Sequence, residues 1–155
     1  MRINTYSTLL NDDGHCFLVK EKSFNYPKEN TFNDARKIVT FMNAIYHMNR
    51  LDTEHVYMLC MNSKCCPTAL FCISKGTANM SLVSPREVLI KALLANSVNI
   101  ILIHNHPSGF IEPSREDYAL TKRFKEVFTL MDIHLIDHII IAGEHFFSFA
   151  EKKLI

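Results

Sequence analysis

The apolar run Ile100-Ile101-Leu102-Ile103 ends directly on His104-Asn105-His106, and this junction constrains the chain more than any other stretch. An uninterrupted run of this length, followed at once by turn residues, reads as a buried strand. Pro107, Gly109 and Pro113 then fit a rigid loop that folds the following segment back toward the histidines. In that segment Leu120, Phe124, Val127, Phe128 and Met131 recur at three and four residues, the spacing of one helix face.

Side chains in a strand alternate faces, so His104 and His106 point the same way and can converge on one cation. Extending the helix face back three residues from Leu120 reaches Asp117, which places this carboxylate on the core-facing stripe. A buried carboxylate is costly unless it is paired, hydrogen-bonded or bound to a metal. With Ser114 as N-cap, Asp117 falls in the first turn, where the helix dipole also favours negative charge. Asp117 is therefore either a capping carboxylate or a ligand. Two imidazoles and one carboxylate suit zinc with the fourth tetrahedral position open, a hydrolase pattern rather than a structural one. Zinc held this way lowers the pKa of water to ~7. A proton acceptor is still needed, and Glu54 is the candidate, because it opens a predicted strand with few other charges. The alternative for Glu54 is a solvent-facing strand end. Asp137-His138 reads as a hydrogen-bonded pair supporting the site from behind rather than as ligands. His15, His47, His55, His134 and His145 belong to no constellation.

The remaining pattern supplies the frame. Ala35, Ile38, Val39, Met42, Ile45 and Tyr46 predict a helix over about 33–49. Strands are expected over 54–62 and 67–74, joined as a hairpin through Asn62-Ser63-Lys64. Ser84-Pro85-Arg86-Glu87 predicts a helix start with a serine N-cap and a capping box, running to about 96. Further strands are expected over 99–104, 133–141 and 145–149, with a helix from near Ser114 to near Asp132 between the first two. Residues 1–30 show only short apolar groups and predict one or two short strands. Interleaved helices and strands indicate an α/β or α+β sandwich around a mixed sheet.

At 155 residues and 48% hydrophobic, the chain suits a single domain spanning 1–155. No apolar stretch approaches the roughly 18 residues of a membrane span, and the first residues do not lead into a signal-peptide core. The expectation is a soluble, cytoplasmic protein without a membrane partner. Its five cysteines include no Cys-x-x-Cys, which argues for reduced core thiols over a zinc ribbon or a redox pair. A formal net charge of +1 without a basic stripe gives no electrostatic footprint for nucleic acid.

The wording His104-Asn105-His106-Pro107-Ser108-Gly109, then Pro113-Ser114-Arg115-Glu116-Asp117, resembles the JAMM (MPN-plus) metalloprotease motif, and within it the RadC-like JAB domain. Val83-Ser84-Pro85-Arg86-Glu87-Val88, Asp137-His138-Ile139-Ile140 and Ser148-Phe149-Ala150-Glu151 add to the match, which covers about residues 51–155. The resemblance implies a cytidine-deaminase-like JAB/MPN sandwich with a mixed central sheet flanked by helices. It implies zinc on His104, His106 and Asp117, Glu54 as general acid/base, and Ser114 as polariser of the scissile carbonyl, a role that competes with the N-cap. Two departures stand out: no obvious helix-hairpin-helix copy in the first 50 residues, and Ser84 where the family wording has histidine. The missing segment weakens any inherited claim of DNA binding.

The leading reading is a zinc-dependent hydrolase of peptide or isopeptide bonds acting on a protein or peptide substrate. The second is a non-catalytic or accessory module associated with DNA repair or mobile elements. Consecutive His-Asn-His does not make an HNH nuclease, whose residues are spread over a longer unit. Nucleobase deaminases need His-x-Glu and Pro-Cys-x-x-Cys, and neither occurs. Exposed edge strands could serve dimerisation or the binding of an extended peptide.

Overall fold

The run that ends on His104 forms the buried strand expected of it, and the rest of the chain is layered around it in a computed structural model that describes residues 2–26, 31–76 and 83–155. The strands are β1 (Arg2–Leu10), β2 (Cys16–Asn25), β3 (His55–Met61), β4 (Pro67–Lys75), β5 (Asn99–Asn105), β6 (His134–Ala142) and β7 (His145–Ser148). The helices are α1 (Ala35–Tyr46), α2 (Pro85–Leu94) and α3 (Arg115–Thr129), with a 3-10 turn at Met48–Arg50. The strands make one seven-stranded sheet in the order β2-β1-β4-β3-β5-β6-β7. It is mixed: β5 runs parallel to β6 and β1 to β4, whereas β1/β2, β3/β4, β3/β5 and β6/β7 are antiparallel. This is the α/β architecture of a JAB/MPN sandwich.

Alternation along β5 assigns the two faces. Ile101 and Ile103 join Ile38, Phe41 and Met42 of α1 in one apolar cluster. Ile100 and Leu102 join Val88 and Ala92 of α2 and Leu120, Phe124 and Phe128 of α3 in another. All seven residues of β5 are buried, which explains why its sequence runs apolar without alternation. His104 has the parity of Ile100 and Leu102 and so faces α3. His138, in register with Leu102, shares that face, and Asp137, in register with Ile101, points to the α1 side.

Several boundaries differ from the sequence reading for identifiable reasons. Helix α1 stops at Tyr46 because His47 takes a left-handed backbone, φ 52°, and the predicted continuation is the separate 3-10 turn. Helix α3 ends at Thr129, and Asp132 at φ 53° turns the chain into β6. The capping box expected at Ser84 does not form: Pro85 is the first helical residue, but the serine side chain makes no cap hydrogen bond. Residues 1–30 hold two strands of nine and ten residues rather than short ones. They pair with each other over their whole length, and β1 is joined to β4 in parallel register at Thr5↔Leu70. All five cysteines are free thiols, and burial pushes Cys60 up to about 12. Among the described residues no helix is long and apolar enough to cross a membrane.

Candidate metal centre

The end of β5 and the first turn of α3 meet at one end of the sheet. His106 lies one residue beyond β5, and its N–H donates to the Ile141 carbonyl at 2.8 Å, so the chain keeps its sheet direction and His106 stays on the side of His104. The loop then reverses through Gly109, whose φ of +80° favours glycine. The Gly109 N–H donates to the His106 carbonyl at 3.1 Å, and His106 Nδ1 donates to the Phe110 carbonyl at 2.7 Å. The loop thus fixes both the backbone and the ring of the second histidine.

Asp117 arrives from the other side, on the first turn of α3. Ser114 Oγ accepts from the Asp117 N–H at 3.1 Å, and Asp117 Oδ2 accepts from the Ser114 N–H and hydroxyl, each at 2.7 Å. This capping box fixes the carboxylate within its own helix turn. Asp117 is nevertheless only 2% exposed and faces the histidines: Oδ1 lies 3.3 Å from His104 Nε2, and Oδ2 lies 3.4 Å from His106 Nε2. It is both the capping carboxylate and the member of the cluster that the sequence left as alternatives.

The two Nε2 atoms are 2.9 Å apart, and one ligand atom from each of His104, His106 and Asp117 lies within 4.8 Å of the others. Tetrahedral zinc with bonds of about 2.0–2.2 Å sets neighbouring ligand atoms about 3.3 Å apart, so the spacing fits such an ion. The donor chemistry fits as well. His106 must carry its proton on Nδ1 to donate to the Phe110 carbonyl, which leaves a bare Nε2 on the neutral ring. That nitrogen and the Asp117 oxygens are acceptors packed together, and such a group is stable only around a cation or a trapped proton. Among the described residues this is the one such cluster of histidine, cysteine and acidic side chains.

The titration behaviour follows from this crowding. Burial works to raise Asp117, but hydrogen bonding with His106, the nearby His104 and the two bonds from Ser114 hold it well below the usual carboxylate range. Burial alone would lower His106, yet its contact with Asp117 and the Phe110 carbonyl raise it. His104 is pushed well below its ordinary value by burial and by His138. His138, wholly buried, falls to about 4.

Glu54 immediately precedes β3 and is half-buried. Its carboxyl is raised above the ordinary value, first by burial and also by Asp117, while His106 pulls it down. The side chain is partly exposed, and its carboxyl responds to the charges of both His106 and Asp117. Asn105 holds this segment, a residue the sequence reading passed over. Its side chain accepts from the His55 N–H at 2.8 Å and donates to the Thr53 carbonyl at 3.0 Å, gripping the backbone on both sides of Glu54. The Glu54 carbonyl accepts from the Gly76 N–H at 2.8 Å. The available signal was parity: lying between His104 and His106, Asn105 has to point to the opposite face.

Asp137 and His138 take the supporting place expected of them. Asp137 accepts from its neighbour's N–H at 2.7 Å, from Ser148 Oγ at 2.6 Å and from the Ala150 N–H at 3.0 Å. This ties β6 to the end of β7. His138 Nε2 lies 2.9 Å from His104 Nδ1, on the side of that ring away from Asp117 and His106.

A mixed sheet covered by helices, with His-x-His leaving the interior strand β5 and a capped aspartate returning on the next helix, is the frame of a JAB domain. Residues 32–154 match the profile of the RadC-like JAB domain, and the chain belongs to that family. It is 43% identical over 108 residues to a UPF0758 protein of Clostridium beijerinckii, covering 70% of this chain and 47% of that relative. A UPF0758 protein of Staphylococcus epidermidis is 44% identical over 104 residues, 67% of this chain and 46% of its own length. The corresponding protein of Staphylococcus aureus strain NCTC 8325 is likewise 44% identical over 104 residues, with 67% and 48% covered. The chain spans about half the length of these curated relatives, and the hairpin β1–β2 lies outside the matched domain.

Proposed function

We propose that this chain is a zinc-dependent hydrolase of peptide or isopeptide bonds, with His104, His106 and Asp117 holding the ion and Glu54 moving the proton. The observation that carries the reading is the convergence of ligand atoms from His104, His106 and Asp117 on one point. Bound zinc supplies Lewis acidity, which polarises a carbonyl and acidifies water. Two imidazoles and one carboxylate would supply three of the four donors zinc usually takes, so a bound ion would keep a place for water or substrate, as a catalytic site requires.

The raised Glu54 carboxyl suits both halves of a proton shuttle. It takes a proton from the attacking water on a carboxylate oxygen and returns it to the leaving nitrogen, which an amine must receive in order to depart. Partial burial keeps competing bulk water from one side, and the Asn105 grip on Thr53 and His55 restricts where the carboxylate reaches. Ser114 has one hydroxyl proton, given to Asp117 Oδ2. Donation to a substrate oxygen requires rotation of that hydroxyl, while the Ser114 N–H continues to hold Asp117. A protein or peptide is the substrate class, and exposed apolar residues near the centre, Phe110 and Tyr118, suit such a partner.

The test is metal analysis together with cleavage of a peptide library by the wild-type chain and by Glu54→Gln. One zinc per chain, with turnover that disappears in Glu54→Gln, is the expected result. Bound zinc without Glu54-dependent turnover would favour the non-catalytic accessory module and overturn the hydrolase reading.

A further inference from the structure

We infer that Thr121 and His138 form a hydrogen-bonded relay that fixes the tautomer of His104, so that its Nε2 is bare and directed at the metal position. The inference rests on the metal-site reading above, and both residues are positioning rather than catalytic groups.

The direction of every bond in the relay follows from one atom that can only accept. Thr121 Oγ1 lies 2.6 Å from the Asp117 backbone carbonyl, one helical turn back along α3. A carbonyl oxygen has no proton, so the hydroxyl gives its single hydrogen there. Thr121 Oγ1 also lies 2.6 Å from His138 Nδ1, and with its hydrogen already committed it accepts in that contact. His138 therefore carries its proton on Nδ1, and its Nε2 is bare when the ring is neutral. That bare nitrogen is 2.9 Å from His104 Nδ1 and can only accept from it. His104 then holds its proton on Nδ1, and its Nε2 lone pair faces Asp117 Oδ1 and His106 Nε2. The chain closes on itself: it begins at the backbone of Asp117 and ends opposite that residue's carboxylate.

Burial shields the relay. His104 and His138 are fully buried and Thr121 is 3% exposed, so water does not compete for these bonds. The Phe149 ring stacks on His138 with centroids 5.0 Å apart and planes within 14°, and Tyr118 meets Phe149 edge-on at 5.3 Å. The imidazole is thus held in one plane, with its two nitrogens aimed at Thr121 and His104. His106 reaches the same state by a different route, through the Phe110 carbonyl. Each histidine of the cluster accordingly has its own device for presenting Nε2.

Thr121→Val keeps the side-chain shape and removes the acceptor. His138 Nδ1–H would then be buried without a partner, so its proton moves to Nε2 and points at His104. His104 must accept on Nδ1 and protonate Nε2, which blocks the metal position. Zinc affinity, measured on the full chain by competition with a chromophoric chelator, should fall by about 10- to 100-fold in Thr121→Val, the usual effect of losing such outer support. Thr121→Ser, which restores the hydroxyl, should stay within about threefold of wild type. Imidazole nitrogen NMR of the metal-free wild type should show His104 and His138 both protonated on Nδ1. A wild-type His104 protonated on Nε2, or a folded Thr121→Val chain that binds zinc as tightly as wild type, would overturn the relay. The NMR result needs neither zinc nor turnover, so an inactive wild type with the expected tautomers would defeat the hydrolase reading and leave the relay standing.

Discussion

Ser114 and Asp117 exchange hydrogen bonds in both directions, the serine hydroxyl accepting from the Asp117 N–H at 3.1 Å and donating to its carboxylate at 2.7 Å. Ser114→Ala removes both while leaving the backbone bond from the residue 114 N–H to Asp117 Oδ2. Loss of an N-cap of this kind costs about 1 kcal/mol, read as a lower urea midpoint with unchanged slope. Zinc should still bind, and turnover should fall further than zinc affinity, because the surviving backbone bond keeps Asp117 aimed at the histidines.

Asn105→Ala acts on the opposite face of β5. It strips the His55 N–H and the Thr53 carbonyl, both at a part-buried edge that water can reach, of their side-chain partner, at about 1 kcal/mol of stability. The side chains of His104, His106 and Asp117 are untouched, so zinc stoichiometry should match wild type. Turnover should drop by roughly a hundredfold as Glu54 loses its fixed position. Equal losses of zinc and turnover would show that Asn105 serves the ligands instead.

The buried histidines give the metal-free chain a pH optimum of stability. His138 falls to about 4 when folded against an ordinary 6.5, so between these values the unfolded chain binds the extra proton. Stability is therefore lost as pH falls from about 6.5 to about 4, by about 3 kcal/mol from this group. His106 is raised, and its contribution is complete below its unfolded pKa and lost as pH rises through its folded one. Chemical denaturation of the metal-free chain should accordingly show greatest stability near pH 6.5. Zinc should remove the decline on the alkaline side, since a liganding imidazole gives up that proton.

Much of this site was legible because periodicity and turn chemistry are local. The apolar run before His104, the parity of His104 and His106, and the helix face running back to Asp117 each require only a few neighbouring residues. What escaped depends on contacts between segments. Thr121 looks like filler on the stripe of α3, and its role exists only because His138 arrives from β6 in register with Leu102. Asn105 lies between the two histidines, and parity alone sends it to the other face. Glu54 has no spacing relation to the motif; antiparallel pairing of β3 with β5, which sets Val56 opposite His104, brings its segment there. The two amino-terminal strands leave only a weak pattern in the sequence because β2 is an edge strand whose exposed Lys20-Glu21-Lys22 breaks the alternation. The capping box expected at Ser84 was matched by its letters, yet the fold builds such a box at Ser114, where the third residue is an aspartate that also faces the histidines.

The central claim is the ligand set, and zinc X-ray absorption on the loaded full chain reads it directly. Two imidazole nitrogens at about 2.0–2.1 Å, the remaining scattering from oxygen, and no sulfur at about 2.3 Å is the result expected for His104, His106 and Asp117. Sulfur in the first coordination sphere would mean that the free cysteines hold the ion, and a chain that takes up no zinc would contradict the metal centre altogether.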